Sequence, residues 1–156
     1  LVATYDLAPE MSAPELTRLL LEAIDSNLYD LIICNHANAD MVEHTGNFEA
    51  TVKAIECLDR CMSHVWDALA QKNGALFITA DHGNAEAMFD EAIHQPHTAH
   101  TCEPVPFVYV GGDWHFKTPK GSLIDIAPTL LAFLGIKQPD EMTGNSLLVE
   151  DNVDDN

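Results

Sequence analysis

The stretch ALFITADHGN, residues 75–84, gives the strongest indication of the fold. Residues 75–80 form a short apolar run, which is typical of a strand buried on both faces of a sheet. Residues 81–84 end the run abruptly and include a glycine that permits a sharp turn. Because ligands bind beyond the carboxyl ends of strands in open α/β sheets, Asp81 and His82 stand where a functional site is expected.

Two further apolar runs, at residues 31–34 and 105–110, also predict strands. Helical spacing predicts a helix that starts at Ser12 and stops at Asn27, a long helix over about residues 47–71, and a last helix from Ser122 that Gly135 closes. Strands that alternate with helices predict an α/β fold, with a mostly parallel sheet and helices on both faces.

Three finer features follow from the same patterns. Ser12 and Glu15 predict a capping box at the start of the first helix. Residues 35–46 are polar and predict a loop, and residues 85–101 predict an irregular, histidine-rich segment. The apolar face of the long helix is predicted to consist of Val52, Ile55, Leu58, Met62, Val65, Trp66 and Leu69.

Composition limits the classes of function. The 156 residues suit one domain, which we assign to residues 1–149 with an acidic, solvated tail over residues 150–156. A net charge of −18 repels nucleic acid and anionic membranes, and repels phosphorylated substrates unless bound cations reverse the local field. No apolar run reaches the roughly 18 residues of a membrane span. The 4 cysteines form no CxxC pair, which favours reduced thiols and a cytoplasmic location.

Three polar clusters, at residues 38–44, 79–84 and 97–101, carry the candidate chemistry. Asp40 and His44 are four residues apart, so one helical turn places both side chains on one side. Asp81 and His82 can converge at a turn, and His100 adds another neutral nitrogen. Alone, each cluster also suits a capped turn or a surface loop. Together they favour a metal site of manganese, zinc or iron, with magnesium less favoured.

The amino-acid sequence of these and neighbouring segments resembles that of cofactor-independent phosphoglycerate mutase, a family of the alkaline phosphatase superfamily. The resemblance runs in order along nearly the whole chain. It rests on the segments VATYDL (2–7), PEMSA (9–13), NADMV (38–42), HTGN (44–47), TADHGNAE (79–86), HTAHT (97–101), DIAPT (125–129) and MTG (142–144).

The resemblance implies an incomplete alkaline-phosphatase-like fold and an isomerase of glycolysis that interconverts 2- and 3-phosphoglycerate. Such enzymes use two metals, usually manganese, and a phosphoserine intermediate; zinc, cobalt and magnesium are alternatives. By resemblance, Asp40, His44 and His100 hold one metal, whereas Asp81 and His82 join the other. His97 is expected to be a neighbour of the site or a support for a ligand.

The resemblance also implies that this chain is the C-terminal fragment of a longer enzyme. The family's serine nucleophile, its remaining metal ligands and its substrate-binding arginines and lysine lie upstream. We therefore expect no catalytic residue in this chain and no activity from it alone. Missing strands would leave an exposed sheet edge, which predicts self-association or marginal stability.

Two positions depart from the family pattern. Glu43 stands where the family usually has glycine, and His36 stands where it usually has an aromatic residue. We expect Glu43 to point to solvent, with orientation of the His44 imidazole as the alternative. His36 is expected to be a packing substitution.

Two other functions remain open at this point. One is another phosphatase or phosphomutase of the same superfamily, although the first and last motifs resemble the glycerate enzymes specifically. The other is a non-catalytic metal-binding or interaction module, since the nucleophile motif is not recognised.

Overall fold

The computed structural model describes residues 3–92 and 94–150, which divide into two compact units, Leu1–Val110 and Gly111–Asn156. The first unit holds α1 (Ala13–Ser26), α2 (Asn38–Glu43), α3 (Phe48–Ala70), β1 (Leu76–Thr79), β2 (Phe89–Asp90), β3 (Gln95–Pro96) and β4 (Phe107–Val110). The second holds β5 (Trp114–Phe116), α4 (Ile126–Phe133) and β6 (Leu148–Glu150). Short 3-10 turns occupy Tyr5–Leu7, Ala85–Ala87 and Leu123–Asp125.

Helix α1 has the predicted ends but not the predicted cap. Asn27 stops it in the left-handed conformation, with a φ of 54°. Ser12 makes no side-chain cap hydrogen bond, because its backbone is not extended as a capping residue requires. Glu15 instead pairs with Arg18 at 2.7 Å, one turn along the helix. The capping-box prediction was therefore wrong, although the helix boundary was right.

Helix α3 has the predicted extent, and its buried face matches the predicted face in part. Val52 and Ile55, which were predicted to face the core, are exposed. The buried positions are Ala50, Thr51, Ala54, Cys57, Cys61 and Val65. Val65 was predicted, and Leu58 and Met62 of the predicted face pack partly buried against the core. The other buried positions carry smaller side chains, which allow neighbouring helices to approach closely. Cys57 and Cys61 pack on Ala13 of α1, and both remain free thiols.

Residues 35–46 were predicted to form a loop, and that prediction was wrong because they contain helix α2. Val42 is fully buried and packs on Ala50 and Ala54 of α3. The side chain of Asn38 donates hydrogen bonds to the carbonyls of Ala54 and Pro9, each at 3.3 Å. These contacts hold a helix of six residues that would be unstable alone.

The predicted strand at residues 31–34 is not formed. Within the described residues no strand pairs with this segment, and Ile33 is 83% exposed. An apolar run forms a buried strand only when a neighbouring strand and a covering layer are present. The segment therefore forms no regular secondary structure, and most of it is exposed at the surface of the first unit.

The described strands pair only in antiparallel ladders of two strands, so the predicted parallel pairing is not found among them. β1 pairs with β4, with Leu76 opposite Val110 and Thr79 opposite Phe107. Phe77 lies against the rings of Phe107 and Tyr109. The predicted strand positions near residues 75–80 and 105–110 were right.

The second unit is organised around the start of α4. Ser122 and Asp125 form a capping box that orders the turn before the helix, and Gly135 ends the helix with a φ of 67°. Buried Thr129 accepts a hydrogen bond from the amide of Leu147 at 2.9 Å. Glu150 ends β6, and the rest of the predicted acidic tail lies outside the described residues. Across the described ranges no helix is long and apolar enough to cross a membrane.

The cap of α3 gives a stability prediction. The side-chain oxygen Oδ1 of Asn47 accepts a hydrogen bond from the backbone amide of Ala50 at 3.1 Å. Asn47→Ala should lower the free energy of unfolding by about 1 kcal/mol, because an amide at the helix start loses its acceptor. Asn47→Ser keeps an acceptor and should be close to wild type in urea denaturation. Equal stability of the alanine and serine variants would contradict this account of the cap.

Candidate metal centre

Three potential ligand atoms converge at one point of the first unit. Asp40 Oδ1 lies 3.2 Å from His44 Nε2 and 3.2 Å from His100 Nε2. The two imidazole nitrogens are 3.1 Å apart. This is the one group of three or more candidate ligands with converging atoms that the described residues contain. The sequence predicted all three of its members.

Helix α2 sets the geometry of the first two ligands. The amide of His44 donates to the carbonyl of Asp40 at 3.2 Å, so one helical turn separates the residues. Their side chains therefore lie on the same side, as the four-residue spacing predicted. The buried contacts of Asn38 and Val42 with α3 hold this turn in place.

A backbone bridge brings the third ligand to the other two. The amide of Thr101 donates to the carbonyl of Gly83 at 2.9 Å, which places the histidine-rich loop beside the end of β1. A Cβ at Gly83 would clash with the side chains of Thr101 and Glu86, so this close approach requires glycine. His100 precedes Thr101 and thereby reaches Asp40.

The three side chains fit a divalent cation. A carboxylate and two imidazoles are ligands that manganese, zinc, cobalt and iron accept. His44 Nδ1 lies 2.8 Å from the carbonyl of Thr98, which accepts its proton and leaves the Nε2 lone pair turned toward Asp40 and His100. The buried side chain of Asn84 donates to Asp40 Oδ1 and fixes the carboxylate. No feature of the sequence had marked Asn84 for this role.

The other two predicted ligands lie beside this group rather than in it. The ring of His82 stacks on the ring of His100, with centroids 3.7 Å apart and planes inclined by 17°. Asp81 Oδ1 is 3.7 Å from His82 Nε2, and the Asp81 side chain is 88% exposed. Their atoms do not join the converging set among the described residues. A metal role for Asp81 and His82 stays a prediction.

Glu43 was expected to point to solvent, and that expectation was wrong. Its side chain is fully buried, and Glu43 Oε2 lies 3.6 Å from His44 Nδ1. Neither carboxyl oxygen has a partner in good hydrogen-bond geometry, although the side chain of Asn84 lies near enough to favour the charged form. Burial raises the pKa of the Glu43 carboxyl and outweighs the opposite effects of His44, Asn84 and His97. Because α2 was not predicted to be a helix, its buried side was not predicted either.

The remaining histidines of interest do not join the ligand group. His97 is half-buried, and its Nδ1 atom is buried without a hydrogen-bond partner. His36 lies 3.4 Å from the hydroxyl of Thr17 on α1, and burial lowers the pKa of its imidazole. This placement suits the packing role predicted for His36.

Comparison with known proteins places the chain in a family. The sequence model of the metalloenzyme superfamily matches residues 1–138. A 2,3-bisphosphoglycerate-independent phosphoglycerate mutase of Legionella pneumophila strain Corby is 71% identical over 147 residues, which are 94% of this chain and 29% of the relative. The mutase of Pseudomonas paraeruginosa is 58% identical over 150 residues, 96% of this chain and 29% of the relative.

A solved structure agrees with these relatives. Phosphoglycerate mutase of Leishmania mexicana, determined at low cobalt concentration, has a TM-score of 0.86 and 28% identity, over 96% of this chain and 30% of that protein. The chain thus spans 29% of the length of the curated relatives named above. The resemblance to phosphoglycerate mutases and the α/β, alkaline-phosphatase-like class of fold are confirmed, and metal dependence is supported. The chain belongs to the metalloenzyme superfamily.

Proposed function

We propose that this chain supplies the metal-binding part of a phosphoglycerate mutase that interconverts 2- and 3-phosphoglycerate through a phosphoserine intermediate. The observation that carries the proposal is the convergence of Asp40, His44 and His100 within a chain that is 71% identical to such a mutase. A role in glycolysis implies a cytoplasmic location. Residues 1–149 would form part of one phosphatase-like domain.

In this proposal Asp40, His44 and His100 hold one manganese ion, and Asp81 and His82 contribute to a second. Bound metals would polarise the phosphoryl group and lower the pKa of a serine hydroxyl. The exposed carboxylate of Asp81 is accessible to a cation that other ligands share. The chain carries a net charge of −18, so cations at this centre would also offset its repulsion of an anionic substrate.

The nucleophile is proposed to come from outside this chain. Three of the serines serve local structure: Ser26 donates to the carbonyl of Ala23, Ser122 caps a turn, and Ser146 donates to the carbonyl of Leu148. Ser12 and Ser63 belong to the start of α1 and to α3. None stands in a segment that resembles the nucleophile motif of the family. The chain alone is therefore proposed to be inactive.

Metal binding is the first test. Calorimetric titration with Mn²⁺ should show a site that is lost in His100→Ala, because one of three ligands is removed. His64→Ala changes an exposed histidine of α3 and should bind like wild type. Absence of binding by the wild-type chain, or equal binding by all three proteins, would contradict the proposed site.

Activity is the second test, and a chimera makes it possible. The matching 147-residue segment of the Legionella pneumophila enzyme would be replaced by this chain. The chimera should convert 3- to 2-phosphoglycerate, and His44→Ala within it should lower kcat by at least about a hundredfold through loss of metal-ion catalysis. Lys53→Ala, on the exposed side of α3, is the matched control.

The activity of the chimera also distinguishes the proposed mutase from two alternative functions. A folded chimera that binds Mn²⁺ but lacks mutase activity would contradict the proposal and favour a non-catalytic metal-binding module. A chimera that hydrolyses phosphate esters without isomerising phosphoglycerate would favour a phosphatase of the same superfamily.

We also propose self-association through the exposed sheet edge. Among the described strands, β1 pairs only with β4. The apolar segment 31–34 pairs with none of the described strands, and its Leu31 and Ile33 side chains are exposed. Unpaired edges and exposed apolar runs are common sites of association. Phosphoglycerate remains the only small-molecule partner proposed.

The association is open to measurement by sedimentation velocity. The sedimentation coefficient of the wild-type chain should rise with concentration, and Ile33→Lys should weaken that rise by placing a charge in the apolar contact. Ile136→Lys, at an exposed position of the second unit, should leave it unchanged. A monomer whose coefficient does not depend on concentration would contradict the proposal.

A further inference from the structure

Glu43 is the least expected side chain near the metal centre. It lies at the end of α2, is fully buried, and has two carboxyl oxygens without partners in good hydrogen-bond geometry. Burial of a carboxyl group without such partners lowers the stability of a protein, whichever protonation state it adopts. A buried polar group of this kind calls for a compensating role.

The position of the carboxyl group relative to His44 indicates that role. The imidazole has two edges, and its Nε2 edge faces Asp40 and His100. Its Nδ1 edge faces the carbonyl of Thr98 at 2.8 Å and the carboxyl of Glu43 at 3.6 Å. Glu43 therefore lies behind the ring, on the opposite edge from the converging ligand atoms.

This arrangement has a direct electrostatic consequence. A carboxylate behind a metal-ligating imidazole makes the ligand nitrogen more basic and holds the ring in orientation. Thr98 already accepts the Nδ1 proton, so the contribution of Glu43 is chiefly its charge. Because Glu43 is fully buried, solvent and salt screen its effect on the ring less than they would at the surface.

The surroundings of Glu43 agree with an electrostatic role. Its carboxyl oxygen Oε2 is 3.6 Å from the imidazole of His44, the residue that follows it in the chain. Asn84 fixes the Asp40 carboxylate on the other edge of that imidazole, so Glu43 lies directly behind the ligand group. A cation bound between Asp40, His44 and His100 would offset the negative charge of the Asp40 and Glu43 carboxyl groups.

We propose that Glu43 is a positioning residue that strengthens cation binding at Asp40, His44 and His100 and destabilises the chain when no cation is bound. The inference rests on the proposed metal site. A residue that only filled space in the core would not show both effects, because its loss would lower stability in the absence of metal.

The test compares Glu43→Gln with wild type in two measurements. Calorimetry with Mn²⁺ alone should give a Kd about tenfold weaker for the variant, the lower end of the effect of losing a supporting partner. Thermal unfolding without metal should give a higher Tm for the variant, because a neutral amide is buried in place of a carboxyl. Glu56→Gln, at an exposed position of α3, removes the same charge and should change neither value.

Each outcome decides a separate claim. Wild-type binding of Mn²⁺ with an unchanged Kd for Glu43→Gln would overturn the role of Glu43 and leave the metal site standing. A lower metal-free Tm, or failure of the variant to fold, would show a structural role and also overturn the inference. If the wild type binds no Mn²⁺, the proposed metal site itself fails. Glu43→Asp, which keeps the charge, should have a Kd between those of wild type and Glu43→Gln.

Discussion

The packing of α2 on α3 is the contact on which the candidate site depends. A helix of six residues makes too few backbone hydrogen bonds to persist alone. Val42 supplies apolar contact with Ala50 and Ala54, and Asn38 supplies hydrogen bonds to backbone carbonyls. Without this contact, Asp40 and His44 would not be held one turn apart. His100 would then have no fixed pair of side chains with which to form the ligand group.

Charge is the second constraint on the site. The centre places Asp40 and Glu43 on the same short helix, α2, in a chain whose net charge is already −18. Two imidazoles can be neutral ligands, and they do not by themselves offset the charge of the Asp40 carboxylate. A divalent cation satisfies the converging acceptor atoms and compensates this charge. The same charges explain why a divalent cation fits between Asp40, His44 and His100.

Local signals in the sequence predicted some parts well. The ends of α1 and α3, the strands β1 and β4 and the turn that Ser122 caps before α4 depend on spacing, turns and capping residues within a few positions. The ligand group was predicted because Asp40 and His44 share one helical turn and His100 belongs to a recognisable motif. Its resemblance to a known family, rather than spacing alone, connected His100 to the other two.

The parts that were predicted wrongly depend on contacts between distant residues. Residues 31–34 have the composition of a strand but no neighbouring strand in the described chain. The buried face of α3 was predicted only in part, because it includes small side chains such as Ala50 and Ala54, which hydrophobic spacing does not distinguish. Helix α2 is too short to show a helical period of hydrophobic residues, so the burial of Glu43 could not be predicted from the sequence.

The most direct measurement is anomalous diffraction at the manganese edge from crystals grown with Mn²⁺. The account predicts a peak bonded to Asp40 Oδ1, His44 Nε2 and His100 Nε2, at the roughly 2.0–2.2 Å typical of oxygen and nitrogen ligands on a first-row metal such as zinc. A peak held by other side chains, or no peak with the three residues arranged as they are here, would contradict it.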